Sequence, residues 1–259
     1  MKKTAILLVC FGTTFPKARQ DSIITTQKAF KKAFPESSIY LAFTSQIVIS
    51  RIKKNEKVFF DSPAQALKKI EAKQFKNVYI QSLHLIPGTE YSRMLKSVLP
   101  YKKRFENLVV GDPLLTSLQD YKSVVNFLIK LDLPLKKHQA VLFMGHGTKH
   151  PAFTAYTTLD YMMEETNHYM ATIDSYPDVN LEIKRLKKAQ IQEVILRPFM
   201  FVAGRHVHDD MLSSNPQSWQ NILKANHFKV KPKSQGLGQF DFIRQQFIAY
   251  LKRKIGEVQ

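Results

Sequence analysis

Short apolar segments of strand length recur along the chain and alternate with longer amphipathic segments. The segments at 17–34, 62–73 and 181–189 are amphipathic, which predicts helices. Continuous apolar runs of about four to eight residues are typical of strands buried on both faces. Eight such runs predict strands at 4–11, 39–43, 77–83, 107–111, 140–145, 168–174, 193–199 and 227–232. This alternation predicts an α/β fold with buried parallel strands and helices on both sides.

The two halves of the chain repeat similar motifs in the same order. CFGTTFP at 10–16 aligns with GHGTKHP at 145–151, and both place a Gly-Thr pair just after a predicted strand. VYIQSLHLIPGTEYSRM at 78–94 aligns with VILRPFMFVAGRHVHDD at 194–210. Internal similarity of this kind indicates related structural units. We therefore predict two similar lobes, each with a mostly parallel four-stranded sheet flanked by helices, and a ligand cleft between them. The N-terminal lobe is predicted at 1–125 and the C-terminal lobe at 126–259.

The charge of the chain favours an anionic partner. Lys and Arg outnumber Asp and Glu by 18, and residues 1–130 account for 13 of that excess. A basic surface attracts polyanions. The lysines are spread along the predicted helices without a recognisable nucleic-acid motif. We therefore expect a small substrate with several carboxylates and no nucleic-acid partner, and a merely solvated Lys-rich face is the simplest alternative.

Cysteine content and hydropathy exclude further classes. The single Cys10 cannot form an intrachain disulfide or a zinc-cysteine cluster. The apolar run at 5–11 resembles a signal peptide only superficially, because it is short and passes directly into FGTTFP. No run reaches the roughly 18 apolar residues of a membrane-spanning helix, so no membrane partner is expected. The cytoplasm is the expected location.

Three polar side chains follow strands of the predicted second sheet, where ligands of open α/β sheets bind. His146 lies between two glycines directly after the fifth strand, at the position that Phe11 has in the first half. His206 follows the seventh strand and matches Glu90. Asp174 ends the predicted sixth strand. Two imidazoles and a carboxylate can hold a divalent first-row metal while leaving coordination positions open. Each residue alone has a structural alternative, as a helix cap, a turn residue or a core residue.

Histidine and aspartate are concentrated in the segment after the seventh strand. His206 and His208 lie two residues apart, so in an extended loop their side chains point in opposite directions. We expect His206 to face the site. His208, Asp209 and Asp210 are expected in a solvated turn that begins a helix, where Asp is favoured.

Motifs along nearly the whole chain resemble one enzyme family, the anaerobic sirohydrochlorin cobaltochelatases, which are CbiK-type class II chelatases. The motifs that carry the resemblance are FGTTFP (11–16), AFTS (42–45), HLIPGTEY (84–91), GDPLL (111–115), FMGHGTKH (143–150), SYPD (175–178), PFMFVAG (198–204) followed by His206, DDM (209–211), SW (218–219) and GLG (236–238). The resemblance implies a chelatase-like pair of α/β lobes enclosing a tetrapyrrole cleft. It also implies that the chain inserts Co²⁺ into sirohydrochlorin during cobalamin biosynthesis, with Fe²⁺ or Ni²⁺ as alternative metals.

The resemblance assigns roles to individual residues. The metal-binding histidines of the family fall on His146 and His206, and its metal-binding Glu falls on Asp174. His146 is implied as the catalytic base. Contacts to the macrocycle or its carboxylate arms are predicted for Phe11, Gly12, Thr13, Glu90 and Arg205.

Two positions depart from the family pattern. The family usually has Glu where this chain has Asp174, and the shorter side chain moves the metal by about a bond length or binds it through water. The family usually has Asp where this chain has Arg205, and a cation beside a metal histidine weakens metal binding while attracting a substrate carboxylate.

Other functions remain open at this stage. A tetrapyrrole carrier, for example a haem-binding protein, or a ferrochelatase-type enzyme would use the same fold. A periplasmic-type anion-binding module shares the two-lobe layout but gives no reason for the histidines. Related enzymes form homo-oligomers, and the Phe-rich composition is compatible with a homo-oligomer here.

Overall fold

The computed structural model describes residues 3–257, and all eight predicted strands are present within two residues of their predicted ends. The first four are β1 (Thr4–Cys10), β2 (Ser38–Phe43), β3 (Asn77–Ser82) and β4 (Asn107–Gly111). The second four are β5 (Gln139–Gly145), β6 (His168–Thr172), β7 (Glu193–Phe199) and β8 (Lys229–Pro232). Strand β6 ends at Thr172, two residues short of the predicted end, so Asp174 lies in the loop beyond it.

Helices connect successive strands. The α-helices are α1 (Pro16–Ala18), α2 (Thr25–Ala33), α3 (Gln46–Glu56), α4 (Pro63–Ala72), α5 (Thr89–Val98), α6 (Leu118–Lys130), α7 (Thr154–Met162), α8 (Val179–Lys188), α9 (Trp219–Ala225) and α10 (Asp241–Gly256). Turns of π-helix span Arg19–Ile24 and Val207–Met211, and 3₁₀ turns span Leu99–Arg104, Pro151–Phe153 and Leu237–Gln239. The helix predicted at 17–34 is therefore α1, a π-helical turn and α2 in succession.

Each sheet is fully parallel and has four strands. The first has the order β2-β1-β3-β4 and the second has the order β6-β5-β7-β8. The two orders are equivalent, as the internal repeat predicts. The predicted fold class, two parallel four-stranded sheets flanked by helices, is confirmed.

The chain divides into two compact units whose bounds differ from the predicted lobes. The second unit is Ser117–Leu237, and the first comprises the residues up to Thr116 together with those from Gly238 onward. The predicted boundary at 125/126 falls inside α6, which belongs wholly to the second unit. Helix α10 belongs to the first unit, where its Tyr250 hydroxyl donates to the Leu114 carbonyl at 3.0 Å. Strand and loop motifs alone do not reveal which sheet a terminal helix covers.

Each unit has its own hydrophobic core. In the first, residues 5–9 of β1 are completely buried, and Ala5, Leu7 and Val9 pack with apolar side chains of α4 and α5. In the second, β5 and β7 pack against α8 and α9. The central strands are covered on both faces, which explains why they are continuously apolar instead of alternating. No helix among residues 3–257 is long and apolar enough to cross a membrane.

Candidate functional site

The loop after β5 presents His146 because of the two glycines that flank it. Gly147 has φ +85°, a conformation that costs side-chain-bearing residues energy. A Cβ at Gly145 would lie 2.5 Å from Cε1 of Tyr156, so the close packing of that ring requires glycine. Burial raises the pKa of Tyr156 to about 12, so its hydroxyl stays neutral. In the first unit Gly12, which aligns with Gly147, has φ +91°.

Asp174 lies beside His146 because the loops after the neighbouring strands β5 and β6 are hydrogen-bonded to each other. The Asp174 amide donates to the His146 carbonyl at 3.0 Å. The Thr148 amide donates to the Ser175 hydroxyl at 3.3 Å. Asp174 Oδ2 is 3.8 Å from His146 Nδ1. The loop contacts, and not the strand itself, bring Asp174 to His146.

His206 lies in the segment that follows β7, the other strand that pairs with β5. Its ring centroid lies 4.5 Å from that of His146, and the two rings are nearly perpendicular at 86°. His206 has helical backbone angles and begins the π-helical turn Val207–Met211, so the predicted extended loop is wrong at this point. In this turn His206 and Asp210 lie on the same side, and His206 Nδ1 is 2.7 Å from Asp210 Oδ2. Both imidazoles are about half exposed.

The hydrogen bonds of the two histidines define which ring nitrogen is available. His146 Nδ1 lies 3.0 Å from the Gly147 carbonyl oxygen. A carbonyl oxygen can only accept, so His146 Nδ1 carries the proton and donates. His206 Nδ1 donates to the Asp210 carboxylate in the same way. When either ring is neutral, its Nε2 therefore has a free lone pair that can bind a metal or accept a proton.

The predicted set of three metal ligands is only partly assembled. Asp174 approaches His146 on the Nδ1 side, whereas the free lone pair is on Nε2. Within residues 3–257, no group of three or more His, Cys, Asp or Glu side chains is arranged to hold a metal ion. The geometry therefore provides two converging imidazoles, with Asp174 as an electrostatic neighbour of one of them. Such an open pair suits an ion that is bound transiently and then passed on.

The remaining charges of the π-helical turn pair with one another. Arg205 Nε donates to Asp209 Oδ2 at 2.8 Å, and His208 Nδ1 lies 2.8 Å from Asp209 Oδ1. Hydrogen bonds from His208 and Arg205 hold the pKa of the Asp209 carboxyl below its ordinary value. The positive charge of Arg205 is thus partly balanced by Asp209, four residues along the chain.

The predicted substrate contacts of the first unit differ in accessibility. Phe11 is 48% exposed at the end of β1, although it is a large aromatic residue. Thr13 is buried, and its hydroxyl accepts from the Phe15 amide at 3.2 Å, so it caps the turn and does not face solvent. Glu90, in the first turn of α5, accepts from Arg93 at 2.7 Å.

Sequence reasoning missed two residues that support the site. The sequence predicts Asp210 in a solvated turn, yet the Asp210 carboxylate accepts from His206 Nδ1. The spacing of four residues between them, which places two side chains on the same side of a helix, is the signal for this contact. Ser175 holds the β5 loop to the β6 loop through Thr148, and no local sequence pattern indicates that contact.

Comparison with known proteins relates nearly the whole chain to one family. The family model described as cobalt chelatase (CbiK) matches residues 4–256. The sirohydrochlorin cobaltochelatase of Salmonella typhimurium is 34% identical over 255 residues, which cover 98% of this chain and 97% of the relative. The sirohydrochlorin cobaltochelatase CbiKC of Nitratidesulfovibrio vulgaris is 30% identical over 246 residues, covering 93% and 86% of the two chains.

Two solved structures illustrate the fold that this chain shares. SirB from Bacillus subtilis, solved with Fe³⁺, aligns with a TM-score of 0.69 at 15% identity and covers 99% of this chain and 98% of its own. CbiX, described as the terminal enzyme of sirohaem biosynthesis in denitrifying bacteria, aligns with a TM-score of 0.58 at 12% identity and covers 97% and 99%. At these identities the similarity establishes the fold.

Proposed function

Because the chain belongs to the cobalt chelatase (CbiK) family, as its motifs predicted, we propose that it inserts Co²⁺ into sirohydrochlorin. The observation that supports this activity is the pair His146 and His206, whose rings lie 4.5 Å apart. The Nδ1 atom of each ring is engaged in a hydrogen bond, which leaves the Nε2 lone pair of each neutral ring to bind a metal or accept a proton. Neutral imidazole is a good ligand for Co²⁺ and for other first-row metals.

Insertion requires that the ion lose water and that the macrocycle lose two pyrrole protons. His146 Nε2 binds the incoming Co²⁺ and, once the ion has left it for the macrocycle nitrogens, accepts one pyrrole proton with the same lone pair. Solvent water takes up the second pyrrole proton. The Asp174 carboxylate, 3.8 Å from Nδ1, stabilises the positive ring that results. His206 is the second metal ligand, held in one tautomer by Asp210. Asp174 thus acts through the His146 ring and does not bind the metal itself.

The substrate contacts complete the proposal. Phe11 offers an exposed aromatic face to a flat macrocycle, and Gly12 lets the backbone approach closely. Glu90 and Arg205 are predicted to meet the periphery of the macrocycle. The basic surface of the chain then favours a substrate that carries acetate and propionate arms. A cytoplasmic location, the absence of a nucleic-acid partner and a homo-oligomeric state stay predictions.

The decisive experiment measures metal insertion into sirohydrochlorin by absorbance, with Co²⁺, Fe²⁺ and Ni²⁺ compared at equal concentration. We expect cobalt to be inserted fastest by the wild-type protein. His146→Ala should lower the rate by at least about 100-fold, as expected for loss of a general base that also binds the metal. His206→Ala should raise the KM for Co²⁺.

The matched control is His208→Ala, because His208 is an exposed histidine of the same turn, and its Nδ1 lies 2.8 Å from Asp209 Oδ1. This variant should keep its activity, and thermal unfolding should show that all three variants fold. Full activity of His146→Ala would exclude the proposed base. Tight binding of sirohydrochlorin or haem by the wild type without insertion of any metal would instead identify a tetrapyrrole carrier.

A further inference from the structure

The first unit contains a pocket that the metal-site residues do not explain. Its volume is about 510 Å³, and it opens at the carboxyl ends of β1 and β2. Four residues of α5, spaced so that they share one helix face, form one wall. The residues that matter for recognition are Phe11, Thr44, Ile47, Glu90, Arg93 and Met94.

Much of the pocket surface is apolar. Phe11 and Ile47 are 48% and 65% exposed, and Met94 forms part of the wall. Exposed large apolar side chains around a concavity are typical of ligand sites. A ligand with a flat apolar body would remove this surface from water.

Arg93 is the only Lys or Arg among the described residues that line the pocket. Its Nη1 donates to Glu90 Oε1 at 2.7 Å, which holds the guanidinium at the pocket wall. Among residues 3–257, no hydrogen bond engages the Nε or Nη2 atoms of Arg93, so these donors remain available for a second carboxylate. A guanidinium can bind two carboxylates because its five N–H groups form a planar fork.

The N-termini of two helices also favour an anionic group in this pocket. Helices α3 and α4 begin at the pocket, with Ser45 and Ser62 as their N-caps, so the positive ends of both helix dipoles lie there.

We propose that Arg93 binds a peripheral carboxylate of the tetrapyrrole while Phe11 and Ile47 contact its apolar ring edge. This inference rests on the proposed function, because it names how the substrate of that reaction is selected. Arg93 is then a specificity-determining residue that favours tetrapyrroles rich in carboxylates over those that lack them. It takes no part in metal binding or proton transfer.

The test is an equilibrium titration of metal-free sirohydrochlorin, followed by its absorbance, together with steady-state insertion kinetics. Arg93→Gln should weaken binding and raise the KM for sirohydrochlorin by up to about fivefold, the effect of one charge-assisted hydrogen bond at a side chain that is 69% exposed. The value of kcat and the KM for Co²⁺ should change less than about twofold. Arg93→Lys should restore part of the affinity because it keeps the charge.

Arg104→Gln is the matched control, since Arg104 also pairs with a glutamate, Glu71, on the same unit but lies outside this pocket. It should bind sirohydrochlorin like the wild type. A second control uses sirohydrochlorin with methyl-esterified carboxylates, which wild type and Arg93→Gln should bind equally.

Three results would overturn the inference: unchanged binding by Arg93→Gln, an equal loss in Arg104→Gln, or an equal loss for the esterified ligand. Unchanged binding by Arg93→Gln would indicate that Arg93 makes no specific contact with the ligand. An equal loss in Arg104→Gln would indicate a general effect of positive charge, and an equal loss for the esterified ligand would indicate a structural role of Arg93. The proposed function fails separately, if the wild type binds sirohydrochlorin but inserts no metal. In that case the titration still tests Arg93.

Discussion

Asp210 offers a sensitive test of how the histidine pair is held. Its carboxylate accepts from His206 Nδ1 at 2.7 Å, and this bond keeps the free lone pair of His206 on Nε2. Asp210→Ala removes the acceptor without touching the imidazole. The ring is then free to rotate and to exchange tautomers, so a fraction of molecules presents a protonated nitrogen to the incoming metal.

The expected magnitude follows from the exposure of the pair. Removing a residue that orients a metal-binding histidine typically costs 10- to 100-fold in metal affinity or activity. The side chains of His206 and Asp210 are 43% and 41% exposed, so water replaces part of the lost interaction. For Asp210→Ala we therefore expect an effect at the lower end of this range, an increase of about tenfold in the KM for Co²⁺. The KM for Co²⁺ of Asp210→Asn should lie between those of the wild type and Asp210→Ala, because an amide oxygen still accepts a hydrogen bond but carries no charge.

The assay is cobalt insertion at saturating sirohydrochlorin over a range of Co²⁺ concentrations. Asp209→Ala is the control, because Asp209 is in the same turn but binds Arg205 and His208. Equal KM values for Co²⁺ in the two variants, or no change in Asp210→Ala, would refute the orienting role. A change in the KM for sirohydrochlorin alone would likewise contradict it.

Two further predictions concern stability. Burial and the nearby Asp160 raise the pKa of Glu182 to about 8, so the folded state holds this proton more tightly than the unfolded chain does. Stability from this group is complete below about pH 4.5 and is lost as the pH rises towards 8, by up to about 1.4 kcal/mol per pH unit. Urea unfolding at several pH values should show a weaker loss for Glu182→Gln, and parallel curves would contradict this account. Gly147→Ala should lower the free energy of unfolding by about 1–3 kcal/mol, because the φ of +85° disfavours a side chain and the new Cβ would lie 2.7 Å from Ser175 Oγ. The control is Gly256→Ala, where a Cβ meets nothing within 4 Å. Equal unfolding free energies for the two variants would refute the strain argument.

The strand pattern shows how far local sequence could predict the fold. All eight strands were predicted because burial on both faces requires continuous apolar runs, which are visible without knowing the partners. The equivalence of the two sheets was visible because Gly12 and Gly147 occupy matching positions after β1 and β5. The location of α10 was not predictable in this way, since an amphipathic helix can cover either of two similar sheets.

The sequence by itself determined the eight strands, their division into two similar four-stranded sheets and the choice of His146 and His206 as candidate ligands, because these depend on hydrophobic periodicity and on the motifs that follow the strands. Only the tertiary structure decided that Asp174 approaches the Nδ1 side of His146 and that Asp210 orients His206. Both contacts depend on backbone angles in loops and on hydrogen bonds between segments far apart in the chain. The spacing of residues along the chain does not indicate which ring nitrogen of a histidine a carboxylate contacts.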